Sequence, residues 1–253
     1  MNYPIMLGAE PWSHVGSGPH GALVIHGFTG NPSSMRGVAE ALAAAGFHVE
    51  LPRLPGHGTT VEDMLATDWA DWSGAAETAY AEICARSRKV VVVGLSMGGA
   101  LALRLGANHP QIAGLVCINP ATQPQAPEIV ALLHSMIADG TEVMPGIGSD
   151  IADPDVKESA YEGTPVRALL SMVEDGLAPL SEAYPTMHQP LLLLTSPNDH
   201  VVDPAQQEYL VANYGGPLER ISLDRSYHVA TQDYDKQLIF DSTVEFARRV
   251  TAG

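Results

Sequence analysis

Short apolar runs alternate along this chain with longer segments in which apolar residues recur at helical spacing. Six runs are predicted strands, and four of them are almost wholly apolar, as expected of strands buried on both faces. The predicted strands span residues 22–25, 49–51, 90–93, 115–118, 191–195 and 219–223. This alternation predicts an α/β fold with a mostly parallel sheet and helices on both faces.

Capping residues and apolar periodicity predict the helices between these strands. Asn31 and Pro32 begin a helix that ends before Gly46. Further helices are predicted over about 68–86, 96–109 and 239–250, the last of them amphipathic.

The connection between the fourth and fifth predicted strands is about 70 residues long, roughly twice what a helical crossover needs. It contains an apolar face that predicts a helix over 127–140, a loop over 144–155, and a second helix that begins at Thr164-Pro165. We therefore expect a core formed by residues 1–120 and 189–253. Residues 121–188 are expected to form a helical cap, not an independent domain, over the carboxyl edge of the sheet. The alternative is an ordinary surface insertion that packs on its own apolar side.

Composition narrows the classes of function. The 253 residues are 45% hydrophobic, enough for one well-filled core. With 13 basic and 29 acidic residues the net charge is −16, which argues against binding to nucleic acid or to an anionic lipid surface. Cys84 and Cys117 cannot build a disulfide framework or a metal cluster, so no metal or cofactor is expected. The chain begins without a signal-peptide pattern and has no long apolar span, so we expect a cytoplasmic protein.

A candidate nucleophile lies in Gly94-Leu95-Ser96-Met97-Gly98. The G-x-S-x-G pattern alone is weak evidence, but here four valines precede it and a helical pattern follows. A sharp strand-to-helix turn strains the serine backbone and needs glycine two residues before and after it. The hydroxyl of Ser96 would then stand at the top of the sheet and at a helix N-terminus. The alternative is a serine that only caps a helix after a glycine-rich turn.

An attacked ester carbonyl needs two hydrogen-bond donors for the charge that develops on its oxygen. The backbone N–H of Met97, directly after the nucleophile, is the first candidate. The second is the N–H of Phe28, in the segment His26-Gly27-Phe28-Thr29-Gly30 that follows the first predicted strand. The alternative for this segment is a simple turn of the chain.

The base and the acid are assigned by elimination. In this architecture the nucleophile, the acid and the base follow one another along the chain, and the base comes after the last strand. Of ten histidines, only His228 follows the last predicted strand. Asp199 lies on the loop after the strand at 191–195 and is favoured as the acid. Asp203 is the alternative, but it precedes a proline and a helical pattern and so is typical of a helix cap. His57 is expected to hydrogen-bond backbone near the oxyanion loop.

These residues resemble an α/β-hydrolase and, more narrowly, the bacterial monoacylglycerol lipase and carboxylesterase group. The resemblance is carried by segments 8–11, 26–30, 51–58, 94–99, 147–150, 154–158, 199–202 and 226–231. It implies a triad of Ser96, Asp199 and His228, and a small mobile helical cap inserted after the sixth-strand position of that fold, with a tunnel for one acyl chain. It also implies that Glu158 hydrogen-bonds the glycerol hydroxyls and that Ile147 is an apolar gating residue. Glu158 could equally be a solvated helix carboxylate.

The resulting expectation is a serine hydrolase that cleaves monoacylglycerols to fatty acid and glycerol. A broad carboxylesterase, a perhydrolase and a C–C bond hydrolase of the same fold remain open. Dehalogenases and epoxide hydrolases of this fold use an aspartate nucleophile where this chain has Ser96, and a binding protein would need a broken triad. The expected partner is a small lipid ester, without nucleic acid and without stable membrane insertion, although the cap could touch lipid transiently. The oligomeric state stays open.

Overall fold

A seven-stranded, mostly parallel sheet forms the centre of the computed structural model, which describes residues 3–146 and 148–252. Two further short strands form a separate antiparallel pair. In chain order the strands are β1 (Trp12–His14), β2 (Gly21–Ile25), β3 (His48–Leu51), β4 (Val90–Leu95), β5 (Gly114–Ile118), β6 (Val143–Pro145), β7 (Gly163–Pro165), β8 (Leu191–Thr195) and β9 (Leu218–Ser222). The large sheet has the order β1-β3-β2-β4-β5-β8-β9, and β1 runs antiparallel to β3.

Nine α-helices connect these strands in the part of the chain that the structure describes. They are α1 (Arg36–Ala44), α2 (Val61–Met64), α3 (Trp69–Cys84), α4 (Met97–Asn108), α5 (Pro127–Ala138), α6 (Val166–Ser171), α7 (Ala178–Ala183), α8 (Ala205–Asn213) and α9 (Lys236–Thr251). Helices α1 and α9 pack on one face of the sheet, and α3, α4 and α8 pack on the other. The predicted layer arrangement is therefore confirmed.

The valine strand β4 shows why the central strands are apolar throughout. Val90 and Val92 belong to the core on the α3–α4 side, whereas Val91 and Val93 belong to the core on the α1–α9 side. All four residues are buried. Because successive side chains point to opposite faces and both faces are covered, no position in the strand tolerates a polar residue.

Residues 121–188, which we call the cap segment, lie between β5 and β8 and contain α5, α6, α7 and the β6–β7 pair. Leu133, Val166 and Leu170 form a small core of their own there. The predicted apolar face of α5 is only partly buried, since Ile129 is 45% exposed and Leu132 is 55% exposed. One packing partner cannot cover all the apolar positions of this helix, so only part of the face packs on α6. The six positions are Ile129, Val130, Leu132, Leu133, Met136 and Ile137.

Several local predictions were wrong. Strand β1 was missed because a three-residue edge strand has no apolar run. The predicted loop over 144–155 begins inside β6, and the helix predicted from Thr164-Pro165 is preceded by β7 and begins at Val166. The helix predicted from Pro32 begins as a 3-10 turn, Pro32–Met35, and α9 begins three residues before its predicted start.

Helix α6 continues directly into a π-helical turn, Met172–Leu177, which the sequence analysis did not predict. Its Gly176 packs so closely on the Trp69 ring that a Cβ there would lie 2.8 Å from a ring carbon. No helix within residues 3–146 and 148–252 has the length and hydropathy needed to cross a membrane.

Candidate active site

Ser96 occupies a strained turn between β4 and α4. Its backbone has φ 55° and ψ −119°, in the left-handed half of the φ/ψ map that non-glycine residues avoid. The Ser96 N–H donates to the Ile118 carbonyl at 3.0 Å, and the Ser96 carbonyl accepts from Gly99 N–H at 2.9 Å. These bonds hold the turn between the ends of two central strands, so the surrounding structure stabilises a conformation that costs energy locally.

Two glycines make this turn sterically possible. A Cβ at Gly94 would lie 2.0 Å from the Gly98 carbonyl oxygen, and a Cβ at Gly98 would lie 2.3 Å from the Ile25 carbonyl oxygen. Both separations are far below van der Waals contact. The strand and the helix can therefore approach each other only because both residues lack a side chain, as the G-x-S-x-G spacing requires.

His228 and Asp199 are joined by a buried hydrogen bond. The His228 Nδ1–H donates to Asp199 Oδ2 at 2.7 Å, and the two side chains are 8% and 1% exposed. Asp199 Oδ1 accepts the backbone N–H groups of Val201 and Val202, each at 2.8 Å. The carboxylate is thus fixed on the loop after β8, and its acceptance from Nδ1 leaves the His228 Nε2 free to act as a base.

Asp203, the alternative acid, lies elsewhere and has another partner. Its Oδ1 accepts the Ala205 N–H at 2.8 Å, at the beginning of α8. Its carboxylate therefore caps the beginning of α8, whereas the carboxylate that hydrogen-bonds His228 is that of Asp199.

Ser96 and His228 line the same cavity. Among the described residues, no hydrogen bond joins the Ser96 hydroxyl to the His228 ring. Bonds between a nucleophile and its base are often long or poorly aligned without substrate and tighten when it binds.

The two expected oxyanion donors belong to residues close to Ser96. Gly27 approaches so closely that a Cβ there would lie 3.3 Å from the Ser96 Cβ, and the next residue, Phe28, lines the same cavity as Ser96. Met97 is the first residue of α4. Within residues 3–146 and 148–252, neither the Phe28 nor the Met97 N–H donates a hydrogen bond to the protein, so both are available to an oxyanion.

Two buried histidines, His26 and His57, lie next to the segment that contains Gly27 and Phe28. The His26 Nδ1–H donates to the Gly27 carbonyl at 2.9 Å, and His26 Nε2 accepts the Leu54 N–H at 3.1 Å. His57 Nδ1–H donates to the Pro55 carbonyl at 2.9 Å, within its own turn. Burial lowers the pKa of His26 to about 4, and burial together with the adjacent His26 lowers the pKa of His57 to about 3. Both rings are therefore neutral supports, not bases.

Comparison with known proteins identifies the family of this chain. The model of the alpha/beta hydrolase family matches residues 22–240. The chain belongs to this family. A thermostable monoacylglycerol lipase of Bacillus sp. (strain H-257) is 42% identical over 247 residues, which are 96% of each chain. A carboxylesterase of Bacillus subtilis (strain 168) is 23% identical over 95% of this chain and 97% of its own.

Solved structures of hydrolases superpose on the whole fold. One from the work on the metagenome-derived lipolytic enzymes LipS and LipT has a TM-score of 0.91 at 41% identity and covers 97% of this chain and 100% of its own. The monoacylglycerol lipase of Paleococcus ferrophilus has a TM-score of 0.73 at 18% identity, covering 95% and 99%. The predicted membership of the α/β-hydrolase family is therefore confirmed.

The cavity of this hydrolase is built from both the core and the cap segment. Its volume is about 230 Å³. Ser96 and His228 line it, and its apolar wall comes from the cap segment and the loop after Asp199, namely Ile129, Leu133, Met144, Leu169, Met172, Val173, Leu177, Val201 and Val202. A largely apolar space beside Ser96 suits a single hydrocarbon chain.

Glu158 is one of the polar residues of the cap segment that line this cavity together with Ser96. Its Oε1 lies 3.1 Å from the point where a Cβ on Gly30 would stand, and its own N–H donates to Ser149 Oγ at 3.0 Å. Burial raises the pKa of Glu158 to about 7; the charge of nearby Asp150 adds to this effect, and His228 opposes it. The carboxyl therefore faces the site in a poorly solvated position. Ile147, the expected gating residue, lies outside the described residues.

Sequence reasoning missed two residues that hold the loop of His228. Asn119, with φ 42°, follows β5; its Nδ2 donates to the His228 carbonyl at 2.8 Å and its Oδ1 accepts the Ser196 N–H at 2.7 Å. Asp150, in the cap segment, accepts the His228 N–H at 3.0 Å. The sequence analysis gave neither residue a role, because each contacts the loop of His228 from a distant part of the chain and such a contact leaves no local pattern.

Proposed function

We propose that this protein is a serine hydrolase that cleaves carboxylic esters, with monoacylglycerols as substrates. Ser96 is the nucleophile, His228 the general base and Asp199 the residue that orients it. The observation that carries the proposal is the 2.7 Å bond between His228 Nδ1 and Asp199 Oδ2 beside the cavity that holds Ser96. The 42% identical monoacylglycerol lipase supports the choice of substrate.

In the first half-reaction the Ser96 proton moves to His228 Nε2 while Oγ bonds to the ester carbonyl carbon. The carbonyl electron pair moves to its oxygen, where the N–H groups of Phe28 and Met97 stabilise the charge. When the carbonyl re-forms, the bond to the glycerol oxygen breaks, and glycerol leaves with the proton from His228. Asp199 stabilises the imidazolium throughout.

In the second half-reaction water attacks the acyl-enzyme. His228 removes a proton from the water, the oxyanion forms at the same two N–H groups, and collapse of the intermediate returns the proton to Ser96 Oγ and releases the fatty acid. Glu158 would accept hydrogen bonds from the glycerol hydroxyls, and the apolar wall would hold the acyl chain.

The triad is tested with a fluorophosphonate probe and a hydrolysis assay. The probe should label wild-type protein at one site, and Ser96→Ala should lose labelling together with about 10⁴-fold or more of the hydrolysis rate. Ser222→Ala is the matched control, since Ser222 is exposed on β9 and its side chain hydrogen-bonds only with Asp224 among the described residues. Undiminished turnover by Ser96→Ala would refute the assignment.

The substrate class is tested by comparing esters. Because the cavity suits one chain, monoacylglycerols should be hydrolysed faster than di- and triacylglycerols at equal concentration. Faster hydrolysis of simple short esters than of every monoacylglycerol would favour the carboxylesterase alternative, for which the Bacillus subtilis relative speaks.

We also propose that the cap segment touches lipid surfaces transiently. Ile129 and Leu132 lie three residues apart on α5 and are 45% and 55% exposed, and Ile129 also lines the cavity. With a net charge of −16 the protein should favour a zwitterionic surface over an anionic one.

A further inference from the structure

Asp150 connects the cap segment to both loops that carry the proposed acid and base. On the acid loop, Asp150 Oδ2 accepts the His200 N–H at 3.1 Å, and Oδ1 pairs with His200 Nδ1 at 2.8 Å. On the base loop, the same Oδ2 accepts the His228 N–H at 3.0 Å, and the Asp150 carbonyl accepts the Val229 N–H at 3.0 Å. One residue of the insertion thus makes four hydrogen bonds to the residues next to Asp199 and at His228.

The carboxylate of Asp150 is largely shielded from solvent, and the loop of His228 is also held from the core. The Asp150 side chain is 11% exposed, whereas the His200 side chain that it meets is 59% exposed. The bond to the His228 N–H therefore competes less with water than the bonds to His200. The carbonyl of His228 is held at 2.8 Å by Asn119 Nδ2, which comes from the core. The peptide groups on both sides of His228 are therefore fixed by contacts from the cap segment and from the core.

We propose that Asp150 is a positioning residue that aligns the loop of His228 with the loop of Asp199. This inference rests on the proposed function. The His228 ring has to reach Asp199 and Ser96 at once, and its backbone follows the end of β9 in an irregular loop. A misplacement of about 1 Å in such a group can cost about 10²-fold in rate. The hydrogen bonds by which Asp150 joins the two loops therefore affect the rate without contact to substrate.

Two other roles for Asp150 can be distinguished by experiment. The residue also lines the cavity, so it could bind substrate directly, or its charge alone could act on the imidazolium. Asp150→Asn separates these roles from positioning. The amide oxygen can accept both backbone N–H groups, and the amide NH₂ can donate to His200 Nδ1 in its acceptor form. The hydrogen bonds between the two loops are therefore kept while the charge is lost.

The test measures kcat and KM for p-nitrophenyl butyrate, with each preparation normalised to the sites that a fluorophosphonate labels at completion. For Asp150→Ala we expect kcat to fall by about 10- to 100-fold with KM changed by less than about 2-fold. Asp150→Asn should stay within about 3-fold of wild type, because it keeps the hydrogen bonds. The control is Asp155→Ala, an exposed carboxylate of the same loop, which should behave as wild type.

Three results would overturn the inference: an unchanged kcat in Asp150→Ala, a raised KM with unchanged kcat, or an Asp150→Asn variant as impaired as Asp150→Ala. If Asp150→Ala does not fold, Asp150→Ser, which keeps one acceptor, takes its place under the same criteria. Failure of the proposed function is recognised separately, because wild-type Ser96 would then not be labelled. With Ser96 labelled, a negative outcome concerns Asp150 alone.

Discussion

The buried pair His26 and His57 should make this protein lose stability in mild acid. Both side chains are fully buried, and their pKa values are lowered to about 4 and about 3. In the unfolded chain both would titrate near the ordinary value of about 6.5. Between these values the unfolded chain binds protons that the folded protein excludes.

The sign and the size of the effect follow from this difference. Above pH 6.5 neither state is protonated at these positions, so the neutral rings do not oppose folding. As the pH falls through 6.5 towards 4, each histidine lowers the free energy of unfolding by about 1.4 kcal/mol per pH unit. From pH 7 to pH 5 each accounts for about 2 kcal/mol and the pair for about 4 kcal/mol, a large part of a typical stability of about 5–15 kcal/mol.

The measurement is the free energy of unfolding in urea at pH 7, 6 and 5. His57→Asn keeps a donor at the position of Nδ1, which bonds the Pro55 carbonyl, but has no group that titrates. It should lose about 2 kcal/mol less than wild type over this pH range, whatever its stability at pH 7. His188→Asn, at an exposed position, is the control and should follow wild type. Equal losses in His57→Asn and wild type would refute the reasoning.

Three further predictions concern the site and the cap segment. Because the carboxyl of Glu158 has a pKa of about 7, the ratio of kcat/KM for monoacylglycerol to that for a p-nitrophenyl ester should rise as the pH rises through 7, and Glu158→Gln should abolish this dependence. Gly98→Ala, whose Cβ would lie 2.3 Å from the Ile25 carbonyl oxygen, should lower the free energy of unfolding by about 3 kcal/mol or more, whereas Gly74→Ala, which meets nothing within 4 Å, should raise it slightly. The double substitution Ile129→Ser and Leu132→Ser should weaken cosedimentation with phosphatidylcholine vesicles, and Val211→Ser, 39% exposed on α8, should not.

The large sheet could be predicted because its chemistry is local. Five of the six predicted strands lie within or match the observed bounds, and the sixth, 219–223, is shifted by one residue against β9. Four of the five are buried on both faces, which restricts them to apolar residues, whereas β3 alternates between buried and half-buried positions. The π-helical turn at Met172–Leu177 could not be predicted. Its path depends on Gly176 meeting Trp69, a residue about a hundred positions earlier, and no local pattern encodes such a contact.

The candidate site divides in the same way. Ser96 and His228 could be predicted because each follows a strand of the parallel part of the sheet, and parallel strands end at one edge of the sheet. Asp150 and Asn119 could not, because they act on the backbone of His228 from 78 and 109 residues away. The roles of Glu158 and Ile147 stay predictions: Glu158 lines the cavity, and Ile147 lies outside the described residues.

Backbone strain marks the same edge of the sheet independently of any motif. Within residues 3–146 and 148–252, three non-glycine residues have positive φ: Thr29 at 58°, Ser96 at 55° and Asn119 at 42°. They follow β2, β4 and β5, three adjacent strands, and each conformation costs about 1–3 kcal/mol. Tertiary hydrogen bonds hold all three: Tyr161 N–H donates to the Thr29 carbonyl at 3.1 Å, and the N–H groups of Ser96 and Asn119 donate to neighbouring strands. Thr29 and Ser96 line the cavity, and Asn119 supports the loop of His228. Because backbone strain clusters at active sites, three strained residues at the ends of adjacent strands mark this edge of the sheet as the place of the proposed site.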